Sequence, residues 1–192
     1  PLMLLTLAGG QTFLLLVLTA IVCIILGMSL PTTVVYVTLA VVVGPALTQL
    51  GILPLAAHLF LFYFGMLSLI TPPDCVATYA AAAIAGADCW QTGWTGMRLG
   101  IVAYVVPFVF ALHPALLLHG TVGEIVVALA AATVGVVFLG VGCAGYLFRR
   151  LSWGKRSTAV AVGLVSGVGG AFLREFFARP LEGEPTTPLW RR

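Results

Sequence analysis

The chain has 192 residues, 61% of them hydrophobic and 8% charged, with a mean hydropathy of +1.14. A soluble domain carries about 25% charged residues, so a water-soluble globular protein is excluded and an all-α integral membrane protein is expected. The net charge of +3 is unevenly spread: residues 1–97 hold no Lys or Arg and two acids, Asp74 and Asp88, while all nine basic residues fall from Arg98 onward, a topology signal rather than a nucleic-acid footprint.

The opening "PLMLLTLAGG" has neither a basic n-region nor an initiator Met. It does not have the form of a signal peptide and reads as the end of an earlier helix. The chain is therefore expected to be the C-terminal piece of a longer protein. The first apolar stretch runs from Gln11 to Leu26 and the second from Thr32 to Val43, interrupted by Gly44-Pro45 and fading by Leu50. Between them lies "GMSLPTT", Gly27 to Thr33, which is turn chemistry. A helix needs about 20 residues to cross a bilayer. The first stretch offers sixteen and the clean part of the second twelve. Two half-length helices joined by a tight turn predict a re-entrant hairpin over residues 11–50, with its tip near mid-membrane.

The third stretch runs from Pro54 to Ile70, stops at "TPP" and resumes from Cys75 to Gly86. Adjacent prolines remove backbone donors and clash with the preceding turn. One long discontinuous transmembrane helix over residues 54–87 is expected, unwound near Thr71 to Asp74. Apolar stretches follow from Met97 to Leu112, Ile125 to Phe148 and Ser157 to Phe172. The expected organisation is a transport repeat over 1–120 (hairpin, broken helix and a helix at 97–113), two additional transmembrane helices over 121–173 and a polar tail over 174–192.

Positive charge orients these elements. "RRLSWGKR", Arg149 to Arg156, holds four basic residues in eight and is expected to face the cytoplasm. Counting back, the discontinuous helix starts outside and ends inside, and the hairpin opens to the outside. Its tip and the "TPP" break then lie at similar depth and can meet. The tail is expected outside. Asp88 reads as a loop acid at the cytoplasmic end, and Glu124 as the start of a helix at the interface. Trp90, Trp94 and Trp153 read as belt anchors.

Irregular backbone at membrane depth is tolerated only inside protein or against a water-filled cavity. Paired broken helices point to a transporter's midplane site. Freed carbonyls at a broken end suit a hard cation, and the N-terminus of the following half-helix suits an anion. At the tip, Gly27 allows close approach, Ser29, Thr32 and Thr33 offer hydroxyls, and Pro31 starts the second limb. At the break, Ser68 and Thr71 offer oxygens beside Pro72 and Pro73. Asp74 reads either as a cation ligand or proton carrier, or as the N-cap of the half-helix starting at Cys75. The four cysteines, Cys23, Cys75, Cys89 and Cys143, have no CxxC spacing and read as buried small hydrophobes. His58, His113 and His119 show no ligand spacing and read as interfacial or packed. No paired-carboxylate, Ser-His-Asp or phosphate-loop constellation is present, so no enzyme is expected.

"GMSLPTTVVYVTLAVVVGPALTQLGI", then "HLFLFYFGMLSLITPPDCVATYAAAAIAGAD" and "GWTGMRLGIVAYVVPFVFALHPALLL", closely resemble the C-terminal half of the large membrane subunit of tripartite ATP-independent periplasmic (TRAP) transporters, nearest to the fused permeases. The resemblance covers roughly Gln11 to Leu118. It implies an elevator-type secondary transporter built from inverted repeats, with Na⁺-driven uptake of an organic acid delivered by a periplasmic substrate-binding protein. It also implies a small membrane subunit, or the rest of a fused permease chain, as partner, and a multi-pass location in the bacterial inner membrane. Gly27 to Thr33 would be the second hairpin's tip and Ser68 to Pro73 the unwound segment facing it. Together they would form one Na⁺ site, with Gly27, Thr32 and Thr71 as its ligands, and one wall of the substrate site. No cofactor is implied beyond Na⁺ as coupling ion. The alternative class is a membrane scaffold or assembly subunit that transports nothing; two turns at depth favour the transporter.

Overall fold

Apolar helix-forming runs punctuated by Pro and Gly leave little choice of secondary structure, and the described residues are mostly helix. The structure is a computed structural model and describes residues 6, 9, 11–147 and 149–166. The expected remnant of an earlier helix, apart from Thr6 and Gly9, lies outside the described residues. So do the end of the last helix beyond Ser166 and the polar tail 174–192. The described residues form two compact units, one up to Gly100 and one from Ile101 onward.

In the first unit, helix α1 spans Thr12–Ser29, α2 Thr32–Val42 and α3 Gly44–Gln49. α1 is longer than the sequence pattern suggests. Gly27, Met28 and Ser29 continue the helix, and the turn is only Leu30-Pro31, both in extended backbone. At 18 residues, α1 is long and apolar enough to cross a membrane, so its length alone no longer argues for a half-span. Pro31 ends a helix at the residue before it, whereas Gly27 and Ser29 merely weaken one, and the packing of Gly27 against Ser68 and Gly65 holds the last turn in place. Pro31 is the N-cap residue of α2. Val43 alone separates α2 from α3, whose first turn carries Pro45.

α4 spans Pro54–Leu67 and tightens into a 3-10 turn over Ser68–Ile70. Thr71 to Cys75 are not helical, the Pro72–Pro73 peptide is cis, and α5 resumes over Val76–Ala85. Gly86, in the left-handed region at φ +63°, ends it. α6 spans Cys89–Leu99. The hairpin limbs pack on α4 in opposite senses. Gly27, near the end of α1, lies against Ser68 at the end of α4, so α1 and α4 run parallel. Val35 lies against Gly65, while Tyr36, one residue later, meets His58 and Phe62 earlier in α4, so α2 runs antiparallel. Leu15, Leu16, Val35, Leu39, Leu47 and Phe60 form the buried centre of this unit.

In the second unit α7 spans Ile101–Leu112 with Pro107 inside it, followed by a 3-10 turn over Pro114–Leu117. α8 spans Val122–Ala144. Its start is a capping box: the Thr121 N–H donates to Glu124 Oε2 at 2.9 Å and the Glu124 N–H to Thr121 Oγ1 at 3.4 Å. Two two-residue strands, Tyr146–Leu147 and Arg149–Arg150, pair antiparallel, a small departure from all-α. α9 spans Trp153–Leu164, so the last helix begins inside the basic cluster rather than after it. Arg156 accounts for this. Its Nε donates to the Gly142 carbonyl and its Nη2 to the Cys143 carbonyl, each at 3.2 Å. The cation thus meets carbonyls in the last turn, and the negative dipole end, of α8.

Asp88, read from the sequence as a loop acid, is the last residue of the loop between α5 and α6. Asp88 is the N-cap of α6, its carboxylate accepting from the Gln91 N–H at 2.7 Å. Helix therefore begins before the apolar stretch at Met97, because Gln91, Thr92 and Thr95 hide it from an apolar-run reading.

Candidate functional site

The site grows from one consequence of Pro72 and Pro73. In a helix the carbonyl of residue i is met by the N–H of residue i+4, or i+3 in a tight turn. Proline at 72 and 73 removes both donors for Leu69 and the i+4 donor for Ser68. The chain re-satisfies part of this locally. The Thr71 N–H donates to the Ser68 carbonyl at 3.1 Å. The Thr71 hydroxyl donates to the Leu67 carbonyl at 2.6 Å, and the Ser68 hydroxyl to the Gly65 carbonyl at 2.7 Å. Past the prolines, the Val76 N–H donates to the Asp74 carbonyl at 2.7 Å, a tight turn centred on Cys75 with φ −69° and ψ 68°. The Tyr79 hydroxyl donates to the Pro73 carbonyl at 2.6 Å.

Ser68 and Thr71 are buried, 1% and 7% exposed. Both hydroxyls donate to a backbone carbonyl, and a hydroxyl oxygen is also an acceptor. With the Leu69 carbonyl left without a helical donor, this is an oxygen donor set of the kind a hard cation takes. Gly27 is buried directly against it. A Cβ at Gly27 would lie 2.5 Å from Ser68 Oγ, 2.7 Å from Ser68 Cβ and 3.1 Å from the Gly65 carbonyl oxygen. Residues of the hairpin tip and of the break therefore meet, at Gly27 and Ser68.

The other tip residues stand differently. Ser29 ends α1 and is exposed, Pro31 and Thr33 are exposed, and Thr32 begins α2 half-buried. Pro72 is half-buried; Pro73 and Asp74 are exposed. The structure thus joins Gly27 with Ser68, and puts Thr71 on the same α4 end through Leu67. Among the described residues it makes no hydrogen bond from Ser29, Thr32 or Thr33 to the break. The cap reading of Asp74 is corrected. α5 begins one residue later than expected, its N-cap is Cys75, and no side chain caps it. The tight turn at Cys75 takes the place that an Asp cap would hold.

Sequence reasoning missed three participants: Gly65, Tyr79 and α6. A Cβ at Gly93 would lie 2.8 Å from Cys75 Sγ, at Gly96 2.5 Å from Thr78 Cγ2, and at Gly100 3.0 Å from Ile70 Cδ1. Two glycines of α6 and its C-cap Gly100 therefore lie along both halves of the broken helix. Their spacing, Gly93, Gly96 and Gly100, is the small-residue pattern of close helix packing and was the available signal.

The family model for "Tripartite ATP-independent periplasmic transporter, DctM component" matches residues 2–125. The chain belongs to this TRAP transporter family. It is a membrane permease component, and the DctM family is one of transporters, not enzymes. The match takes in the hairpin, the break and α6, the elements just described, and extends to the first turn of α8. A DctM component works in general with a substrate-binding protein and a small membrane subunit. Comparison with curated proteins and with solved structures gave no match.

Proposed function

We propose that this DctM component is part of a Na⁺-coupled secondary transporter that takes up organic acids, as carboxylates, delivered by a periplasmic binding protein across the bacterial inner membrane. The apposition of Gly27 and Ser68 carries the reading. It brings a hairpin tip to a helix break whose hydroxyl and carbonyl oxygens suit Na⁺. A scaffold gains nothing from turns at depth, each of which must have its polar groups satisfied inside the protein.

On this reading the Ser68 and Thr71 hydroxyls and the Leu69 carbonyl hold Na⁺, with Thr32 completing the set from the hairpin. The N-terminus of α5 faces a substrate carboxylate, and Asp74 stands beside it as a further cation ligand or a proton carrier. Ion and acid then share one wall, so each stabilises the closed tip for the other, which is coupling by linkage. Thr32→Val and Thr71→Val in the intact permease, reconstituted with its binding protein and offered a panel of carboxylates, are expected to raise the Na⁺ concentration for half-maximal uptake about tenfold each. Unchanged Na⁺ dependence in both would remove them as ligands.

The hairpin is proposed to be re-entrant, opening to the periplasm, within an inverted-repeat elevator whose other repeat lies in the rest of the permease. Parallel α1 and α4, with Gln11, Gln49 and Pro54 at one end of the unit, support this. Single cysteines at Gln11 and Gln49, both exposed, are expected to react with a membrane-impermeant thiol reagent from the periplasmic side, in a background where the exposed Cys89 is Ser. Labelling from opposite faces would instead make α1 a full span.

A further inference from the structure

The break is held in shape from its far side, and the residue that does so lies outside the oxygen set. Pro73 is exposed, follows Pro72 and lies in the non-helical stretch between α4 and α5. Tyr79 reaches back six positions from the first turns of α5 and donates its hydroxyl to that carbonyl at 2.6 Å. The Tyr79 N–H and the Thr78 hydroxyl both donate to the Cys75 carbonyl, at 3.0 and 2.9 Å. The tyrosine ring is held in turn. A Cβ at Gly93 would sit 3.5 Å from Tyr79 Cε1, 3.5 Å from Pro72 Cγ and 2.8 Å from Cys75 Sγ. Pro72, Cys75 and Tyr79 thus close around one glycine of α6, with Cys75 fully buried.

We propose that Tyr79 is a positioning residue for the ion site: its hydroxyl, by holding the Pro73 carbonyl, fixes the path of residues 71–75 and so pre-organises the oxygens of Ser68, Leu69 and Thr71 for the cation. The phenol itself does not touch the ion. Its partner carbonyl is occupied and is not a ligand. A segment with two prolines and few backbone donors has no hydrogen-bond ladder to set its course. One strong side-chain bond at its far end therefore decides how much conformational freedom the cation must remove on binding.

This inference rests on the Na⁺ reading of the site, and Na⁺ alone is the probe. The thermal midpoint of the purified intact permease is followed against NaCl, with choline chloride holding ionic strength constant. A ligand of the folded state raises the midpoint with its own saturation curve. Tyr79→Phe keeps the ring against Gly93 and deletes one hydroxyl. It is expected to raise the half-saturating Na⁺ concentration roughly five- to tenfold, the size of one hydrogen bond, with the midpoint in choline within a degree or two of wild type. Thr71→Val is run beside it. If Thr71→Val shifts the Na⁺ curve and Tyr79→Phe does not, or if Tyr79→Phe lowers the choline midpoint with the Na⁺ curve unmoved, Tyr79 is a structural residue and the proposal fails while the ion site stands. If Na⁺ gives wild type no stabilisation over choline, the ion reading falls and takes the proposal with it.

Discussion

Gly27→Ala is expected to disable the permease more completely than any single change among the hydroxyl residues of the tip. The added methyl would sit 2.7 Å from Ser68 Cβ and 3.1 Å from the Gly65 carbonyl oxygen. Rotating the serine hydroxyl away clears only the Ser68 Oγ contact at 2.5 Å. The Cβ and the carbonyl belong to the α4 frame and move only with it. Overpacking of this kind costs about 1–3 kcal/mol. Here the strain is relieved by pushing the tip off the break, which opens the oxygen set. The expected result is loss of Na⁺-dependent uptake and a lowered thermal midpoint. Ser68→Gly removes the obstructing Cβ, so in a double-mutant cycle Gly27→Ala and Ser68→Gly are expected to be non-additive, the pair being less damaging than the sum. Additive losses would mean that the two residues do not press on each other.

The second large effect lies in the other unit. A Cβ at Gly163 in α9 would meet the Leu139 N at 2.7 Å, the Gly135 carbonyl oxygen at 2.9 Å and the Leu139 Cα at 3.0 Å. All three are backbone atoms of α8. No rotamer change can relieve them, so Gly163→Ala must shift α9 bodily away from α8. At Gly142, on the facing surface of α8, a Cβ would meet Val160 Cγ2 at 2.6 Å and the Val160 N at 2.9 Å, so the antiparallel pair is close at both places. In lipid, helix association rests on this backbone proximity rather than on a hydrophobic drive. A loss of about 1–3 kcal/mol is expected for Gly163→Ala, read as a fall in the thermal midpoint. Gly154, in the same helix, has open space at its Cβ position. Gly154→Ala is expected to leave stability unchanged or raise it by up to about 1 kcal/mol through helix propensity. A Gly163→Ala protein as stable as the Gly154→Ala protein would refute close packing of α8 on α9.

The two glycines show why one part of the molecule was legible and another was not. Gly27 stands out in the sequence because it heads the stretch "GMSLPTT" between two apolar runs. Gly163 sits in an apolar run where glycine is common in membrane helices, and nothing local marks it. The same contrast holds at the break. Pro72 and Pro73 announce an interruption wherever they stand, because proline lacks the donor that a helix needs. Tyr79 announces nothing; its role depends on a carbonyl six residues back being turned toward it.

Local chemistry therefore determined what is local. Composition and run length dictate a helical membrane protein, the prolines place the breaks, and "GMSLPTT" with "ITPP" carries the family. Three matters were decided only in three dimensions. α1 runs on through Gly27 to Ser29, because a helix docked on α4 overrides the weak breaking power of Gly and Ser. Asp88 caps α6 while Asp74 caps nothing, because the turn at Cys75 takes up the start of α5. Gly65, Tyr79 and Gly93 join the site because close approach between helices sets which small residues matter, and a single sequence does not record which surfaces touch.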